Sequence, residues 1–320
     1  MPVNTGSLKA QRQPRESLGV WLGRYYLIIS LVLLVLISSI LSPRFLSQEN
    51  LMNIAIQNSA VAIVSFGMLY VILTGGIDLS VGSVVALAAC FTAGFLEAGW
   101  SIPLTILAVL ALMLIPGAIS GGLVAIGKME PFIASLAMMT IVRGAAYMYQ
   151  VGSVRVIFNN AFINGFTGNL GPIPVPVLIM ALAAVVLHVV LKYTTFGRKL
   201  YAIGGNRDAA RLVGISLRKN LFAVYMLSSV LSGLVGILMA ARLRVGTALV
   251  GQGMELDAIA AVVIGGASFA GGRGTILNTL IGAFIIGIIG NMMNLMGIAA
   301  YPQMVIKGVI IILAVLARRG

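Results

Sequence analysis

Long apolar runs alternate with short polar segments along the whole chain. The runs cover residues 25–42, 51–73, 79–98, 102–126, 131–150, 175–192, 221–241, 255–271, 275–296 and 302–317. A helix needs about 20 mostly apolar residues to cross the hydrocarbon core of a bilayer. The pattern therefore predicts an all-α, polytopic helical membrane protein with about ten transmembrane helices. The run 255–271 is also compatible with a short or re-entrant helix.

The composition identifies the bilayer as the solvent of this protein. Hydrophobic residues make up 60% of the chain and charged residues only 9%. Soluble domains carry about 25% charged residues, so a soluble core does not account for this much apolar sequence. The ten-residue alternating segments that indicate a membrane β-barrel are absent from the sequence.

Basic residues are distributed unevenly over the segments between the runs. With the N-terminus in the cytoplasm, the inner segments hold Lys9, Arg12, Arg15, Arg24, Lys128, Arg198, Lys199, Arg207, Arg211, Arg218, Lys219, Arg273, Arg318 and Arg319. The outer segments hold Arg44, Arg155, Arg242 and Arg244. Because Lys and Arg concentrate in cytoplasmic loops, both termini are predicted to be cytoplasmic. The net charge of +13 then points to contact with membrane lipid, and nucleic acid is not an expected partner.

This map predicts one transmembrane domain over residues 25–320, preceded by a cytoplasmic segment over residues 1–24. A basic cytoplasmic loop covers about 193–220. Its middle predicts a short helix, with Asn206 as N-cap, Asp208 in the first turn and Gly214 at the C-terminal end. Because so short a helix is marginal in water, it must dock either onto another protein or onto anionic lipid.

Three motifs together resemble the ribose-type permeases of bacterial ABC sugar importers. They are G-G-I-D-L-S-V-G at 75–82, G-G-N-R-D-A-A-R-L-V-G-I at 204–215 and E-L-D-A-I-A-A-V-V-I-G-G-A-S-F-A-G-G-R-G at 255–274. The resemblance covers nearly the whole chain from about residue 25. Val213 departs from it, since many relatives have Ser there.

The resemblance implies an importer with several subunits. Two permease copies pair as a homodimer or with a close paralogue, a cytoplasmic ABC ATPase drives them, and a periplasmic or lipid-anchored sugar-binding protein delivers substrate. The protein is then a multi-pass component of the bacterial inner membrane and not itself an enzyme. The segment 159–174 is expected to face the binding protein, with a disordered loop as the alternative. Ribose is the default sugar, and xylose, arabinose, galactose, other furanoses, inositol or a sugar-like signal stay open.

In this family the short helix of the basic loop couples the permease to the ATPase. The residues that this role implies are Asn206, Arg207, Asp208, Ala209, Ala210, Arg211, Leu212 and Gly214. The resemblance therefore favours the ATPase over anionic lipid as the partner on which this short helix docks. Alternating access follows, in which ATP and the loaded binding protein each favour one conformation.

The stretch Gly75, Gly76, Asp78, Ser80 and Gly82 is predicted to be a helix break near the inner gate. The Asp78 carboxylate is placed to cap the free N–H groups at the start of the next helix. The glycines allow a tight turn and close packing there. A structural role for Asp78 is therefore favoured over direct contact with sugar.

Neutral polar side chains within the runs are candidates for the translocation path. They are Asn53, Gln57, Asn58, Asn291 and Asn294. Hydrogen bonding between helices is the alternative role for such amides. A further candidate is an intramembrane ion pair between Arg143 and Glu255 or Asp257, although both carboxylates also suit a helix N-terminus. Lys307 is expected to extend its ammonium toward the membrane surface.

The residues give little support to ATP binding, metal binding or catalysis by this chain. The segment G-L-V-A-I-G-K at 122–128 matches most of a phosphate-binding loop, but Met129 follows where Ser or Thr is required. Cys90 and His188 are the only residues of their kinds, so a metal site or a catalytic triad is not expected. No cofactor is predicted. An ion-coupled secondary sugar carrier is the alternative function, although proton relays need more intramembrane acids than this chain has.

Overall fold

The computed structural model describes residues 18–316 as a bundle of helices with two small antiparallel sheets. The helices are α1 (Leu18–Leu41), α2 (Gln48–Leu73), α3 (Val81–Glu97), α4 (Ile102–Ala125), α5 (Pro131–Gln150), α6 (Asn160–Thr167), α7 (Val175–Tyr193), α8 (Thr195–Gly205), α9 (Arg207–Leu212), α10 (Leu217–Leu243), α11 (Met254–Ile264), α12 (Ile276–Leu295) and α13 (Ala300–Leu316). The strands are β1 (Arg155–Val156), β2 (Asn169–Leu170), β3 (Ile173–Pro174) and β4 (Val245–Gly246), paired β1 with β4 and β2 with β3. The predicted helical architecture is confirmed.

Six of the described helices are long and apolar enough to cross a membrane, namely α2, α4, α5, α7, α10 and α12. The chain is therefore a multi-pass membrane protein. The count of ten crossings and the cytoplasmic termini stay predictions. Residues 1–17 and 317–320 lie outside the described residues, and with them Lys9, Arg12, Arg15, Arg318 and Arg319 of the charge pattern.

Helices α2 and α10 form the centre of the bundle. Their most apolar windows are 83% and 67% buried, compared with 28% for each of α4, α5 and α7. Lipid tails are as apolar as Leu, so close packing and interhelical hydrogen bonds must hold such helices together. Small residues provide the close packing here, since Gly67 of α2 lies against Ser228 of α10 and Gly236 of α10 lies against Ala88 of α3.

The polar segments gather at two ends of the bundle. At the first end, Gly272 N donates to Leu73 O over 2.9 Å and Arg207 Nη2 donates to Thr74 O over 2.9 Å. At the second end, Arg155 forms an ion pair with Glu97. We call the first the basic end and the second the opposite end. The segments that meet at each end are those that the charge pattern assigns to one side of the membrane.

The segment between α10 and α12 crosses the bundle only partly as a helix. Its helix α11 has 11 residues, about 16 Å at 1.5 Å per residue, which is half of a bilayer core. Before it, β4 pairs with β1 near the opposite end, and after it Gly272 contacts Leu73 at the basic end. The predicted run 255–271 therefore contains one short helix, α11, which follows an extended segment of the chain.

The segment 159–174 is ordered. Asn159 Oδ1 accepts from Phe162 N over 3.0 Å and so caps α6, and the β2–β3 hairpin follows. Phe162 and Ile163 are buried under the neighbouring helices. The disordered loop that the sequence left open is therefore not what this segment forms.

Candidate functional site

Helix α9 lies where the sequence predicts it and has the predicted caps. Asn206 Oδ1 accepts from Asp208 N and Ala209 N, each over 2.9 Å. At the other end Gly214 has a φ of 80°, and Ile215 N donates to Ala210 O over 2.9 Å. This left-handed glycine and hydrogen bond satisfy carbonyls that the helix end leaves free. Local chemistry alone therefore defines the six-residue helix.

One side of α9 is fixed to the bundle and another is free. Ala210 is buried and Arg207 donates to Thr74 O, directly after α2. By contrast, Leu212 is 89% exposed and Val213 is 76% exposed. The predicted coupling residues are thus joined to the predicted helix break by one hydrogen bond. The exposed apolar pair is available to another protein.

A second helix of the basic loop, α8, was not predicted. Thr194 caps it by accepting from Gly197 N, and this cap was readable from the sequence. Tyr201 of α8 donates to Gly274 O over 2.7 Å, and burial raises the pKa of Tyr201, so that the hydroxyl stays a donor. Gly204 lies so close to Leu73 O and Gly272 N that a Cβ would collide with both. The second and third motifs therefore meet at the end of α2.

Asp78 lies in the break between α2 and α3 and is 2% exposed. Its Oδ1 accepts from Ser80 N over 3.0 Å and from Ser80 Oγ over 2.6 Å. Its Oδ2 accepts from Ser228 Oγ of α10 over 2.8 Å. The bond from Ser80 N lies in the turn before α3, because the helix begins at Val81 with Ser80 as its N-cap and without a side-chain cap bond. Asp78 therefore stabilises the break itself and does not cap the first turn of α3. The bond from Ser228 links the break to the central helix, and the sequence did not indicate it.

The glycines of the first motif permit close contacts around this break. Gly75 has a φ of 75°, and Gly76 lies beside the Tyr225 hydroxyl. Gly82, at the start of α3, faces Gly251 O and Glu255 Oε2 without room for a Cβ. The break after α2 therefore touches the break before α11. A gating role for this contact stays a prediction.

The predicted ion pair of Arg143 is not the arrangement observed. Arg143 Nη1 donates to Ala248 O over 2.5 Å and to Val250 O over 2.8 Å, in the extended chain before α11. Asp257 instead pairs with Lys307 of α13 over 2.9 Å. The predicted pairing of Arg143 with Asp257 was therefore wrong. The prediction that Lys307 extends its ammonium toward the membrane surface was also wrong, because the ammonium pairs with Asp257. The sequence did not indicate that backbone carbonyls of the extended segment before α11 would accept hydrogen bonds from the Arg143 guanidinium.

Glu255 has a different environment from its neighbour Asp257. It is 8% exposed, and backbone N–H groups of Gly253 and Glu255 interact with its carboxylate, but its Oε2 has no hydrogen-bond partner in the described part of the chain. It lies in the first turn of α11, where the helix dipole favours a negative charge. This was the rival role that the sequence offered for both carboxylates. Arg143 lies near enough to attract Glu255 electrostatically, but the hydrogen bonds of Arg143 go to the carbonyls.

Four of the five predicted path amides border one cavity of about 340 Å³, which we call the amide cavity. Its polar lining consists of Gln57, Asn58, Arg242, Asp257, Asn291, Asn294, Gln303 and Lys307. The structure brings these side chains together from α2, α10, α11, α12 and α13. Asn53 lies apart, in a neighbouring cavity of about 200 Å³ that also contacts Arg242.

The amides of the cavity differ in how fully they are hydrogen bonded. Asn291 and Asn50 form a reciprocal pair, with distances of 3.1 and 2.8 Å. Asn294 Oδ1 accepts from Gln303 Nε2 over 2.8 Å. Asn58 is 2% exposed, and its buried Nδ2 has no hydrogen-bond partner among the described residues. Interhelical bonding thus describes Asn291, whereas the amide of Asn58 packs against Gly287 with its donor unsatisfied.

Comparison with known proteins follows this geometry. The family model described as "Branched-chain amino acid transport system / permease component" matches residues 50–315. The chain is 45% identical to the ribose import permease protein RbsC of Escherichia coli (strain K12) over 300 residues, 92% of this chain and 94% of that protein. It is 43% identical to RbsC of Bacillus subtilis (strain 168) over 306 residues, 95% and 93% of the two chains.

A third relative is named for a hexose. The chain is 36% identical to the D-allose transport system permease protein AlsC of Escherichia coli (strain K12) over 296 residues, 91% of this chain and 90% of that protein. No solved structure matches the chain.

Proposed function

The chain belongs to this family of transport permease components, and on that premise we propose that its own cargo is ribose or a closely related sugar. The family description names branched-chain amino acids, but the relatives at 43–45% identity are named for ribose import. That identity over at least 92% of the chain is the observation that carries the proposal. The protein is a permease subunit in the bacterial inner membrane, and ATP is hydrolysed on a separate subunit.

The ATPase of the importer docks on α9. The exposed pair Leu212 and Val213 provides an apolar contact, while Arg207 joins α9 to the end of α2. A push on α9 therefore reaches the break that contains Asp78 through a single hydrogen bond and a short turn. The partner across the membrane is a sugar-binding protein, which contacts the opposite end around the ordered segment 159–174. A second permease copy completes the pore.

Sugar passes through the amide cavity during alternating access. A neutral polyol needs donors and acceptors rather than net charge, and the cavity supplies both from amides and from the Asp257–Lys307 pair. Its 340 Å³ lies near the lower end of the range of about 300–1,000 Å³ for small-molecule sites. We assign Asn58 as a contact for a sugar hydroxyl when the path opens, because its buried Nδ2 has no hydrogen-bond partner among the described residues. Polar groups at membrane depth favour such a water-filled path over lipid.

Reconstitution tests the proposed cargo. The permease is placed in liposomes with its ATPase and binding protein, and uptake of labelled ribose, allose, galactose and leucine is measured with and without ATP. We expect ATP-dependent uptake of ribose and none of leucine. Uptake of leucine in place of a sugar would refute the proposed cargo.

The same liposomes separate the importer from an ion-coupled carrier, which is the second candidate. Uptake should stop when the ATPase is omitted, whatever proton or sodium gradient is imposed. Sugar uptake that persists without the ATPase but follows the ion gradient would instead establish the carrier. The scarcity of acidic residues in the chain, 8 in all, disfavours that outcome.

A further inference from the structure

A second polar cavity, of about 690 Å³, lies at the basic end between α4, α5 and α10. Four basic residues line it, and we call it the basic cavity: Lys128, Arg207, Arg211 and Arg218. They come from the segment after α4, from α9 and from the first turn of α10. The proposed sugar path does not include this cavity.

The charges in the basic cavity are largely unbalanced. Glu130 is its one acidic lining residue. Arg211 lies 3.5 Å from Asp208, but both side chains are well exposed, and such surface pairs contribute about 0–1 kcal/mol. Arg207 uses its Nη2 on Thr74 O. In the described part of the chain, Lys128 and Arg218 have neither an ion pair nor a side-chain hydrogen bond. The cavity therefore offers several cationic donors to an anion.

The wall behind these charges is apolar. Val124, Leu217 and Leu221 line the cavity and are buried in the bundle. Just beside it, Ile126 is 66% exposed and Phe132 is 54% exposed. Exposed apolar side chains near the ends of membrane helices are suited to contact with acyl chains. The basic cavity thus combines four basic residues with an apolar wall, and exposed apolar side chains follow its lining residues Ala125 and Pro131 along the chain.

We propose that the basic cavity binds an anionic phospholipid, with the headgroup phosphate among the four basic residues and an acyl chain along the apolar wall. Arginine guanidinium groups match phosphate oxygens with paired hydrogen bonds. Basic pockets between membrane helices on the cytoplasmic side are suited to such headgroups. Because Arg207 and Arg211 belong to α9, the bound lipid also holds the coupling helix against α4 and α10.

The exposed side of α9 distinguishes lipid from the ATPase as the occupant. Leu212 and Val213, the residues we assign to the ATPase, do not line the basic cavity. Arg207, Arg211 and Gly214 of the coupling segment do line it, together with residues from the ends of α4 and α10. The combination of several basic side chains with an apolar wall favours an anionic lipid as the occupant.

Native mass spectrometry of the full-length permease tests the proposal. Wild type and the double variant Lys128→Gln/Arg218→Gln are each incubated with phosphatidylglycerol and with phosphatidylcholine of the same acyl chains. Arg198→Gln/Lys199→Gln removes the same two charges at the same end, outside the cavity, and serves as the control. We expect wild type and control to retain phosphatidylglycerol, and the Lys128/Arg218 variant to bind it about 30-fold more weakly, from about 1 kcal/mol for each basic residue.

Equal retention by all three proteins would overturn the proposal. So would full displacement of the lipid by millimolar inorganic phosphate, which would assign the site to a free anion. A double variant that loses ATPase binding but keeps the lipid would assign the cavity to the ATPase. The charge-conserving variant Lys128→Arg/Arg218→Lys covers the case in which the first variant does not fold, because it should retain phosphatidylglycerol and lose no preference over phosphatidylcholine.

Discussion

Two buried carboxylates lie at the two helix breaks of this protein, and their surroundings are opposite. Asp78, before α3, accepts three hydrogen bonds from the hydroxyl and N–H of Ser80 and from Ser228. Glu255, at the start of α11, is nearly as buried, but its Oε2 has no partner. A satisfied buried group stiffens its surroundings, whereas an unsatisfied one costs about 1–3 kcal/mol.

The difference indicates that the break around Asp78 is rigid and that the break before α11 rearranges more easily. The break around Asp78 is tied to the central helix α10 through Ser228. The chain before α11 is held by Arg143, which donates hydrogen bonds to two backbone carbonyls. The Oε2 of Glu255, nearby, has no hydrogen-bond partner among the described residues. We therefore expect the α11 side to move when the transporter changes conformation, and the α3 side to act as its support.

The largest effect is expected at Arg143. Arg143→Glu would leave the carbonyls of Ala248 and Val250 unpaired and place a second acid near Glu255. A loss of about 2–6 kcal/mol is expected from two unpaired groups, which can be enough to prevent assembly. Yield of folded protein and its melting temperature in detergent measure this. Arg143→Lys keeps the charge and should be intermediate. Wild-type uptake by the Arg143→Glu variant would mean that the segment before α11 does not need the hydrogen bonds from Arg143.

The next effect tests the rigid break. Asp78→Leu removes the acceptor for Ser80 and Ser228 and should cost about 2–3 kcal/mol, with loss of transport. Asp78→Asn keeps one oxygen for the Ser80 N–H and should retain much of the transport, because Asn also stabilises such turns. Both variants are compared by melting temperature and ATP-driven uptake. Equal loss in both would show that the negative charge itself is required.

A smaller effect on stability is expected at the second carboxylate. Glu255→Gln removes a buried charge whose Oε2 has no hydrogen bond to lose, so the melting temperature should change by the equivalent of about 1 kcal/mol or less. Transport should fall nevertheless, because the variant offers no negative charge to Arg143 when Arg143 leaves the two carbonyls during the transport cycle. If Glu255→Gln destabilised the protein as much as Asp78→Leu does, the two breaks would not differ in the way described.

The smallest effect concerns the ion pair beside the second break. Asp257 and Lys307 are partly exposed, with side chains 19% and 33% accessible, so the pair should contribute about 1 kcal/mol at most. A double-mutant cycle with Asp257→Asn and Lys307→Gln measures that coupling. High salt should reduce it if the amide cavity is open to water. A coupling above about 3 kcal/mol would place the pair in a dry interior and outside the proposed path.

Sequence reasoning succeeded where the determining interactions are local. The bounds of α5 agree with the predicted run 131–150, since Pro131 begins the helix and Gly152 follows it. Helix α9 needed only the cap at Asn206 and the left-handed Gly214. The bond from Ser80 N to Asp78 spans two residues and was accessible for the same reason.

Reasoning from the sequence failed where a partner lies far along the chain. The second hydrogen-bond partner of Asp78 is Ser228, 150 residues away, and nothing local in the sequence identifies this pair. Lys307 reaches Asp257 across 50 residues. Asn50 and Asn291 select one another across 241 residues, which removes Asn291 from the set of free path amides.

A bundle of membrane helices, and the bounds of most of them, follow from the sequence alone, because hydrophobic length, charge bias and capping are properties of short segments. The partner of each polar group in the bundle follows from the packing of the helices. In an apolar interior every such group needs a partner, and several groups compete for it. The packing places the carbonyls of Ala248 and Val250 within reach of Arg143, and for this reason Arg143 donates to them and not to Glu255.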